Sequence, residues 1–326
     1  MAYLTELNED DIKNITFNYK ILDYVSFTPI YEGIQNSNYI ITTKSRKFIF
    51  TIFDDKYVAN NLQKFLEFML FINKSGFNCP CPITDINLNL VSNLNNKPSS
   101  LVSFLEGKSL YKHRSSHFSL LGHDLAKLHK ITLKYPYIIK QRFDKKFYNS
   151  TINKNLNIIK NYNLNLINIF KSSLFAYSNL NKTNLPSGTI HGDLFPDNVL
   201  FNKGNIGGFI DFYYASKEYL ISDIAIIIIS WCFNTKSSNK IELNMNKVRI
   251  LLSNYNKIRK ITFNELSSLS IICKIYCIRF FLTRLLDQNS QKDSKKVLTK
   301  DPNEYIYKLL YFNNNTIDFE QVINND

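Results

Sequence analysis

The run His191-Gly192-Asp193-Leu194-Phe195-Pro196-Asp197-Asn198 places a His, an Asp and an Asn at the spacing H-x-D-x-x-x-x-N. That spacing suits transfer of a phosphoryl group to an alcohol. Asp193 beside an acceptor hydroxyl can orient it and accept its proton, while Asn198 folds back to hold a metal ion near the phosphates. Downstream, the β-like run Ile206 to Ile210 ends in Asp211-Phe212-Tyr213, where a carboxylate at a strand end can coordinate Mg2+ bridging the phosphates. Alone, an Asp and an Asn in a loop are more often turn chemistry. Together the segments supply a base, two metal ligands and an intervening hairpin. His191 is expected to brace the loop by hydrogen bonding, and Asp197 to stabilise it. Asp223, on the following helix, is either a support behind the loop or a solvated carboxylate at a helix start.

A phosphoryl donor also needs a cradle. No G-x-G-x-x-G occurs, and the best phosphate-covering segment is Glu32 to Tyr39, with Gly33, Ser37 and Asn38 as its small and polar members. In the strand Phe48 to Phe53, Thr51 stands where a V-A-I-K strand would carry its phosphate-binding Lys. A hydroxyl can hydrogen-bond a phosphate but cannot neutralise it. Arg46 or Lys47 could substitute from the adjoining turn, or could be solvated turn residues. Phe104 and Leu105, in the stretch Leu101 to Gly107, are placed to present backbone groups to an adenine, although a plain edge strand would read the same way.

These residues must be held by two kinds of structure. NYIITT and KFIFTIF flank Lys44-Ser45-Arg46 as a hairpin, and Val58 to Lys74 has helical spacing with a stop at Gly76. From Ser115 the periodicity becomes helical, with one Asn-rich helix over 150–180, a loop-rich insert from Pro186 to Tyr214, and helices at about 218–233, 244–258, 263–287 and 303–312. The expectation is an α+β, two-lobed chain. Residues 1–104 form an antiparallel sheet plus helix that binds nucleotide, and residues 105–326 form a mainly helical catalytic and substrate lobe.

Composition narrows the class. An apolar fraction of 44% with 25 Phe and 20 Tyr is ample for a core. The net charge of +13 is scattered among Asn and Ile in a chain with only 9 Gly, without a basic run of five, so it reads as compositional drift. Neither nucleic-acid nor membrane binding is expected, only mild steering toward anions such as ATP. The five cysteines form no C-x-x-C pair, and reduced, buried thiols are expected. Met1 to Asp11 does not read as a signal peptide, and the apolar run Ile224 to Phe233 falls well short of the roughly 20 residues a spanning helix needs. A cytoplasmic protein is expected. Oligomeric state has no signature here.

The chain as a whole resembles the aminoglycoside-phosphotransferase-like superfamily of the protein-kinase-like fold, and within it the homoserine kinase family. The resemblance runs through EGIQNSNYI, FIFTIFD, GFNCPCPI, VSFLEGKSL, LAKLH, HGDLFPDN, IDFYYA, SWCFN and RFFLTRLLD. Homoserine kinases of this fold also lack the strand Lys, so Thr51 agrees with the narrower family. The departures lie in Lys- and Asn-rich connecting segments. The resemblance implies ATP and Mg2+ as cofactors and L-homoserine as the small-molecule acceptor, giving O-phosphohomoserine on the way to threonine. A zwitterionic acceptor also needs a cation for its carboxylate and hydrogen-bond acceptors for its amine. Arg279 and Arg284 on the helix near the C-terminus can supply the cation, or can instead be ion-paired supports of the catalytic loop. Two other readings stay open: a kinase of the same fold acting on an aminoglycoside, choline or a thiosugar, and a non-catalytic nucleotide-binding scaffold.

Overall fold

The computed structural model describes residues 5–31, 36–237, 240–290 and 300–324. Gly33 lies outside them. The described residues form two compact units that are not successive stretches of sequence: Gly207–Tyr213 belongs with those up to Lys108, and the other described residues from Ser109 build the second unit.

In the first unit, helix α1 (Glu9–Asn18) starts at a capping box. Asn8 accepts from the Asp11 N–H at 2.8 Å, and Asp11 accepts from the Asn8 N–H at 3.1 Å. Strands β1 (Tyr24–Ile30), β2 (Asn36–Thr43) and β3 (Lys47–Phe53), helix α2 (Lys56–Lys74), and strands β4 (Pro82–Ile83), β5 (Ser92–Leu94) and β6 (Lys97–Ser103) follow. The antiparallel sheet runs β1-β2-β3-β6-β4, with β5 also on β6. In β2, Ser37, Tyr39, Ile41 and Thr43 are buried alternately. Tyr39 and Ile41 join Phe50, Ile52 and Leu101 in a core covered by Ile15 of α1 and by Tyr19, the residue that caps its C-terminus. The capping signal for α1 is clear in the sequence once sought, but neither α1 nor β1 was expected.

The second unit contains α3 (Ser115–Thr132), α4 (Lys145–Lys154), α5 (Leu156–Tyr162), α6 (Leu166–Ser178), β7 (Ser187–Ile190), β8 (Val199–Asn202), the start of β9 (Asn205–Phe209), β10 (Ser216–Tyr219), α7 (Ile221–Trp231), β11 (Phe233–Ser237), β12 (Lys240–Leu243), α8 (Met245–Ile258), α9 (Phe263–Ser290), α10 (Asn303–Asn314) and α11 (Phe319–Asn324). Two expectations need correction. The single helix over 150–180 is three, because Asn155 and Asn163 leave helical geometry and their side chains bond the nearby backbone. The helix expected from 218 begins at Ile221, because Ser216–Tyr219 pairs antiparallel with β7 and buries Ser216 and Glu218.

Apart from Asp223 and two serines helix α7 is apolar, and it is buried along nearly its whole length, which is how so apolar a helix is accommodated in a protein interior. No helix among the described residues is long and apolar enough to cross a membrane. All five cysteines are free thiols. Helix α3 packs on α8 at Gly122, where a Cβ would sit 2.3 Å from the Leu251 carbonyl oxygen. Gly122→Ala should therefore force the helices apart and cost about 1–3 kcal/mol. At Gly76, whose φ is +85° with open space around it, the penalty is backbone strain alone, about 1–2 kcal/mol for Ala. Urea unfolding of the two variants checks both figures, and only Gly122→Ala should also perturb side-chain packing, read by near-UV circular dichroism.

Candidate active site

In the second unit the HGDLFPDN loop leaves β7 and is held from behind by one carboxylate. Asp223 Oδ2 accepts the His191 N–H at 2.8 Å and Oδ1 accepts the Gly192 N–H at 2.9 Å. The third partner is His129 at the end of α3, with Nε2 3.1 Å from Oδ2. Asp223 and His129 are both fully buried. Of the two alternatives for Asp223, the structure gives the support behind the loop.

Burial by itself would raise the Asp223 carboxyl, but the His129 hydrogen bond, the His129 and His191 rings and the Gly192 N–H hold it below its ordinary value. Burial lowers His129, with Asp223 opposing. The pair is therefore a carboxylate and a neutral imidazole. That fixes the tautomer: Nε2–H donates to Asp223, and Nδ1 accepts from the Tyr255 hydroxyl at 2.6 Å. Tyr255 in turn accepts from Arg259 Nε at 2.6 Å, and Arg259 is ion-paired with the buried Glu265.

The loop's own contacts then shape Asp193. Gly192 has φ +79°, and a Cβ there would lie 2.4 Å from the Tyr214 carbonyl oxygen, so only glycine fits. The Asp193 N–H reaches His191 Nδ1 at 3.3 Å, which is the bracing role expected of His191. Asn198, 8% exposed, turns its amide nitrogen to the Asp193 carbonyl at 2.7 Å and to Asp193 Oδ2 at 3.4 Å. Trp231 of α7 donates to the Leu194 carbonyl at 3.0 Å. Asp197 forms an exposed ion pair with Lys300 at 3.1 Å, too solvated to contribute much.

The two arginines separate. Arg279 is buried, donates to the Gly192 carbonyl at 2.7 Å and lies 3.8 Å from Asp193 Oδ1. Its guanidinium carbon is 4.3 Å from the centre of the Phe143 ring and 4.8 Å from that of Phe280. Among the described residues its Nε has no hydrogen-bond partner. Arg284 is committed elsewhere: it donates at 2.7 Å to both Glu304 and the Asp301 carbonyl and lies over the Tyr305 ring. Burial would raise Glu304, but Lys308 and Arg284 pull it down to about 2. Arg284 is thus part of a salt-bridge cluster on α9 and α10.

Arg279 also lines a cavity of about 280 Å³ whose walls come from four distant segments, among them Phe143, Tyr148, Tyr177, Glu218 and Tyr276. None of these wall residues other than Arg279 was singled out in the sequence, because no local pattern links them.

In the first unit, Asp211 follows the end of β9 with φ +64°, a left-handed conformation rare outside glycine that Asp tolerates better than most residues. The residues after it are anchored by aromatics. Phe212 lies 6.0 Å from Phe68, and Tyr213 is 4.9 Å from Phe53. Asn38 and Thr51 are register partners on β2 and β3, and Thr51 donates its hydroxyl to Asn38 Oδ1 at 2.8 Å. Ser37 points to the other face, fully buried, and accepts from the Thr5 N–H at 2.8 Å. Arg46 and Lys47 lie over the rings of Phe48 and Phe104, and Phe104 and Leu105, both half-buried, follow β6. Among the described residues no group of three or more His, Cys, Asp or Glu side chains could hold a metal by itself.

His129 makes the loop's support sensitive to acid. Its pKa is lower folded than unfolded, so the stability it contributes is complete above about 6.5 and is lost as pH falls and the unfolded chain takes up the proton. His113, lowered to about 4 mainly by burial, acts with the same sign. Unfolding midpoints measured from above pH 6.5 down to 4 should fall steadily, and His129→Gln should flatten that slope while lowering stability above pH 6.5.

Residues 26–238 match the model of a phosphotransferase enzyme family, APH. The homoserine kinase of Rhizobium meliloti (strain 1021) is 31% identical over 311 residues, covering 95% of this chain and 94% of that one. That of Sinorhizobium fredii is 32% identical with the same coverage. Among solved structures, an amicoumacin kinase in complex with AMP-PNP, Ca2+ and Ami has a TM-score of 0.74 at 14% identity, covering 97% of each chain. The choline kinase LicA from Streptococcus pneumoniae has a TM-score of 0.64 at 15% identity, covering 94% of this chain and 99% of its own. These two share the fold, protein-kinase-like as the resemblance implied, while the sequence matches place the chain more narrowly. With its braced HGD loop and its full-length likeness to homoserine kinases, the chain belongs to the phosphotransferase enzyme family, on the homoserine kinase branch.

Proposed function

We propose that the protein is a homoserine kinase that transfers the γ-phosphoryl group of ATP to the L-homoserine hydroxyl. The observation that carries the reading is the hold on Asp193. Its loop is pinned by Asp223 and Arg279, and its carboxylate, beside Asn198 and Arg279, stays partly exposed, at 19%. In the reaction the acceptor oxygen bonds to the γ-phosphorus, the bond from that phosphorus to the β,γ-bridging oxygen breaks, and ADP departs. The hydroxyl proton passes to Asp193.

Asn198 and Asp211 are the oxygen donors we assign to a divalent cation, Mg2+. The donor set fits: one carboxylate and one amide, with no soft ligand, is what Mg2+ takes when phosphates and water complete its shell. When bound, the ion offsets charge on the transferring group. The amide nitrogen of Asn198 is committed to Asp193, which leaves the amide oxygen as the ligand atom. We assign Asn38 and Thr51 to nucleotide phosphates and Phe104 and Leu105 to the adenine. Arg279 is the cation we retain for the acceptor, since Arg284 is consumed by Glu304. The free thiols agree with a cytoplasmic protein.

Purified protein with ATP and Mg2+ should form O-phosphohomoserine. ADP release with choline or an aminoglycoside, and none with homoserine, would overturn the acceptor and keep the phosphotransferase. Asp193→Asn should lower kcat by ~10²–10⁴-fold with ATP binding retained. Asp211→Asn should cost at least roughly a hundredfold in kcat and raise the Mg2+ needed for half-maximal rate. Full activity of Asp211→Asn at ordinary Mg2+ would remove it from the metal site.

A further inference from the structure

The cavity of the second unit contains a buried acidic side chain that the loop machinery does not use. Glu218 on β10 stands opposite Gly188 of β7 and is 9% exposed. Its hydrogen-bond donors are the Tyr219 N–H at 2.9 Å and the Gln141 side-chain amide, both neutral. No ion pair among the described residues includes it. Burial pushes its carboxyl up, and the Tyr219 N–H, Lys182, Gln141 and Arg279 oppose that only in part. When ionised, a carboxyl held out of water with only two neutral donors in contact and its nearest cations out of ion-pair range is an incompletely compensated charge, and its stable complement is a cation.

The surroundings say which kind. The cavity walls beside Glu218 include Tyr148, Tyr177 and Tyr276, and the charge of Glu218 acts on all three hydroxyls. A carboxylate among tyrosine rings suits an alkylammonium, whose N–H groups meet the oxygens while its methylenes lie against ring faces. The remaining charge excludes a simple cation as the preferred ligand. The walls hold four cationic side chains, Arg142, Lys145, Lys182 and Arg279, against Asp144 and Glu218. Such a lining matches a molecule that carries an ammonium and an anionic group together. Its volume of about 280 Å³ admits an amino acid and disfavours an aminosugar oligomer.

We propose that Glu218 is the receptor for the ammonium group of the acceptor and sets the selectivity of this cavity for small zwitterionic amines. The assignment rests on the kinase reading for the identity of the alcohol, and on the cavity alone for the recognition of the amine. Arg279 joins the two regions, since it lines the cavity and contacts the Gly192 carbonyl beside Asp193.

The test is calorimetric binding and turnover with the full chain, using L-homoserine, γ-hydroxybutyrate, which lacks the amine, and propanolamine, which lacks the carboxylate. Wild type should prefer L-homoserine over γ-hydroxybutyrate by at least ~10²-fold, because the analogue leaves Glu218 buried and unpaired. Glu218→Gln should abolish that preference by raising Kd and KM for homoserine, with the KM for ATP unchanged. The variant should also melt no lower than wild type without ligand, since it removes an uncompensated charge, and should lose the upward Tm shift that homoserine gives wild type. Glu218→Asp, which keeps the charge, should retain part of the preference.

A Glu218→Gln protein that binds homoserine as wild type does overturns the proposal. So does equal loss of both ligands, or a lower melting point that Glu218→Asp restores without restoring binding. If wild type phosphorylates no homoserine yet binds propanolamine in a Glu218-dependent way, the assigned acceptor falls and the ammonium site stands.

Discussion

A fully buried carboxylate, Asp223, is the point from which the proposed catalytic loop takes its shape. An unpaired ion in that position would be strongly destabilising. Here each oxygen accepts a backbone N–H from consecutive residues, His191 and Gly192, and His129 supplies a third donor. The loop cannot leave without stranding the charge, so the cost of burying Asp223 becomes the rigidity of Asp193. Behind it the chain continues through Tyr255 and Arg259 to Glu265, and ties α3, α7, α8 and α9 to one polar network inside an apolar unit. Such networks are most valuable when every member is satisfied.

The other side of the same loop is held differently. Arg279 donates one hydrogen bond to the Gly192 carbonyl and otherwise lies among rings, an arrangement open to a planar, weakly hydrated guanidinium and not to a lysine. Gly192 is squeezed between Asp223 and Arg279, with the Tyr214 carbonyl close enough to forbid a side chain. Glycine is therefore set by the crowding of two supports, and the loop's backbone groups are satisfied from both directions.

In the first unit, order around Asp211 comes from aromatic packing rather than from ions. Phe209, Phe212 and Tyr213 each meet a ring, of Phe77, Phe68 and Phe53 respectively. Those contacts hold the backbone on both sides of a residue in a left-handed conformation, a local strain that surrounding structure must enforce. Where Thr51 replaces the lysine of the kinase strand, its hydroxyl is joined to Asn38 on the neighbouring strand, so the position is polar, ordered and uncharged.

Much of this was legible in the sequence where the signal was local. The H-x-D-x-x-x-x-N spacing, the hairpin around Lys44 to Arg46 and the long apolar periodicities of α2, α3 and α9 are properties of contiguous residues, which chain geometry turns directly into loops, strands and helices. Local signals also misled. The apolar residues across 150–180 concealed two breaks made by asparagine side chains bonding the backbone, and Ser216–Tyr219 became a strand only because β7 lies beside it. Side chains that read alike in sequence were parted by their partners. Arg279 and Arg284 sit on one helix, yet one braces the loop while the other is bound to Glu304. Asp223 could have been a solvated helix-start carboxylate until the backbone of a loop some thirty residues earlier in the chain closed over it. Glu218 with its ring of tyrosines had no signature at all. The sequence by itself determined which chemistry the chain can carry, because that resides in residue types at short spacing. Which charges are buried, paired or left open to a ligand was decided only by tertiary structure, because burial and partnership are properties of distant segments brought together.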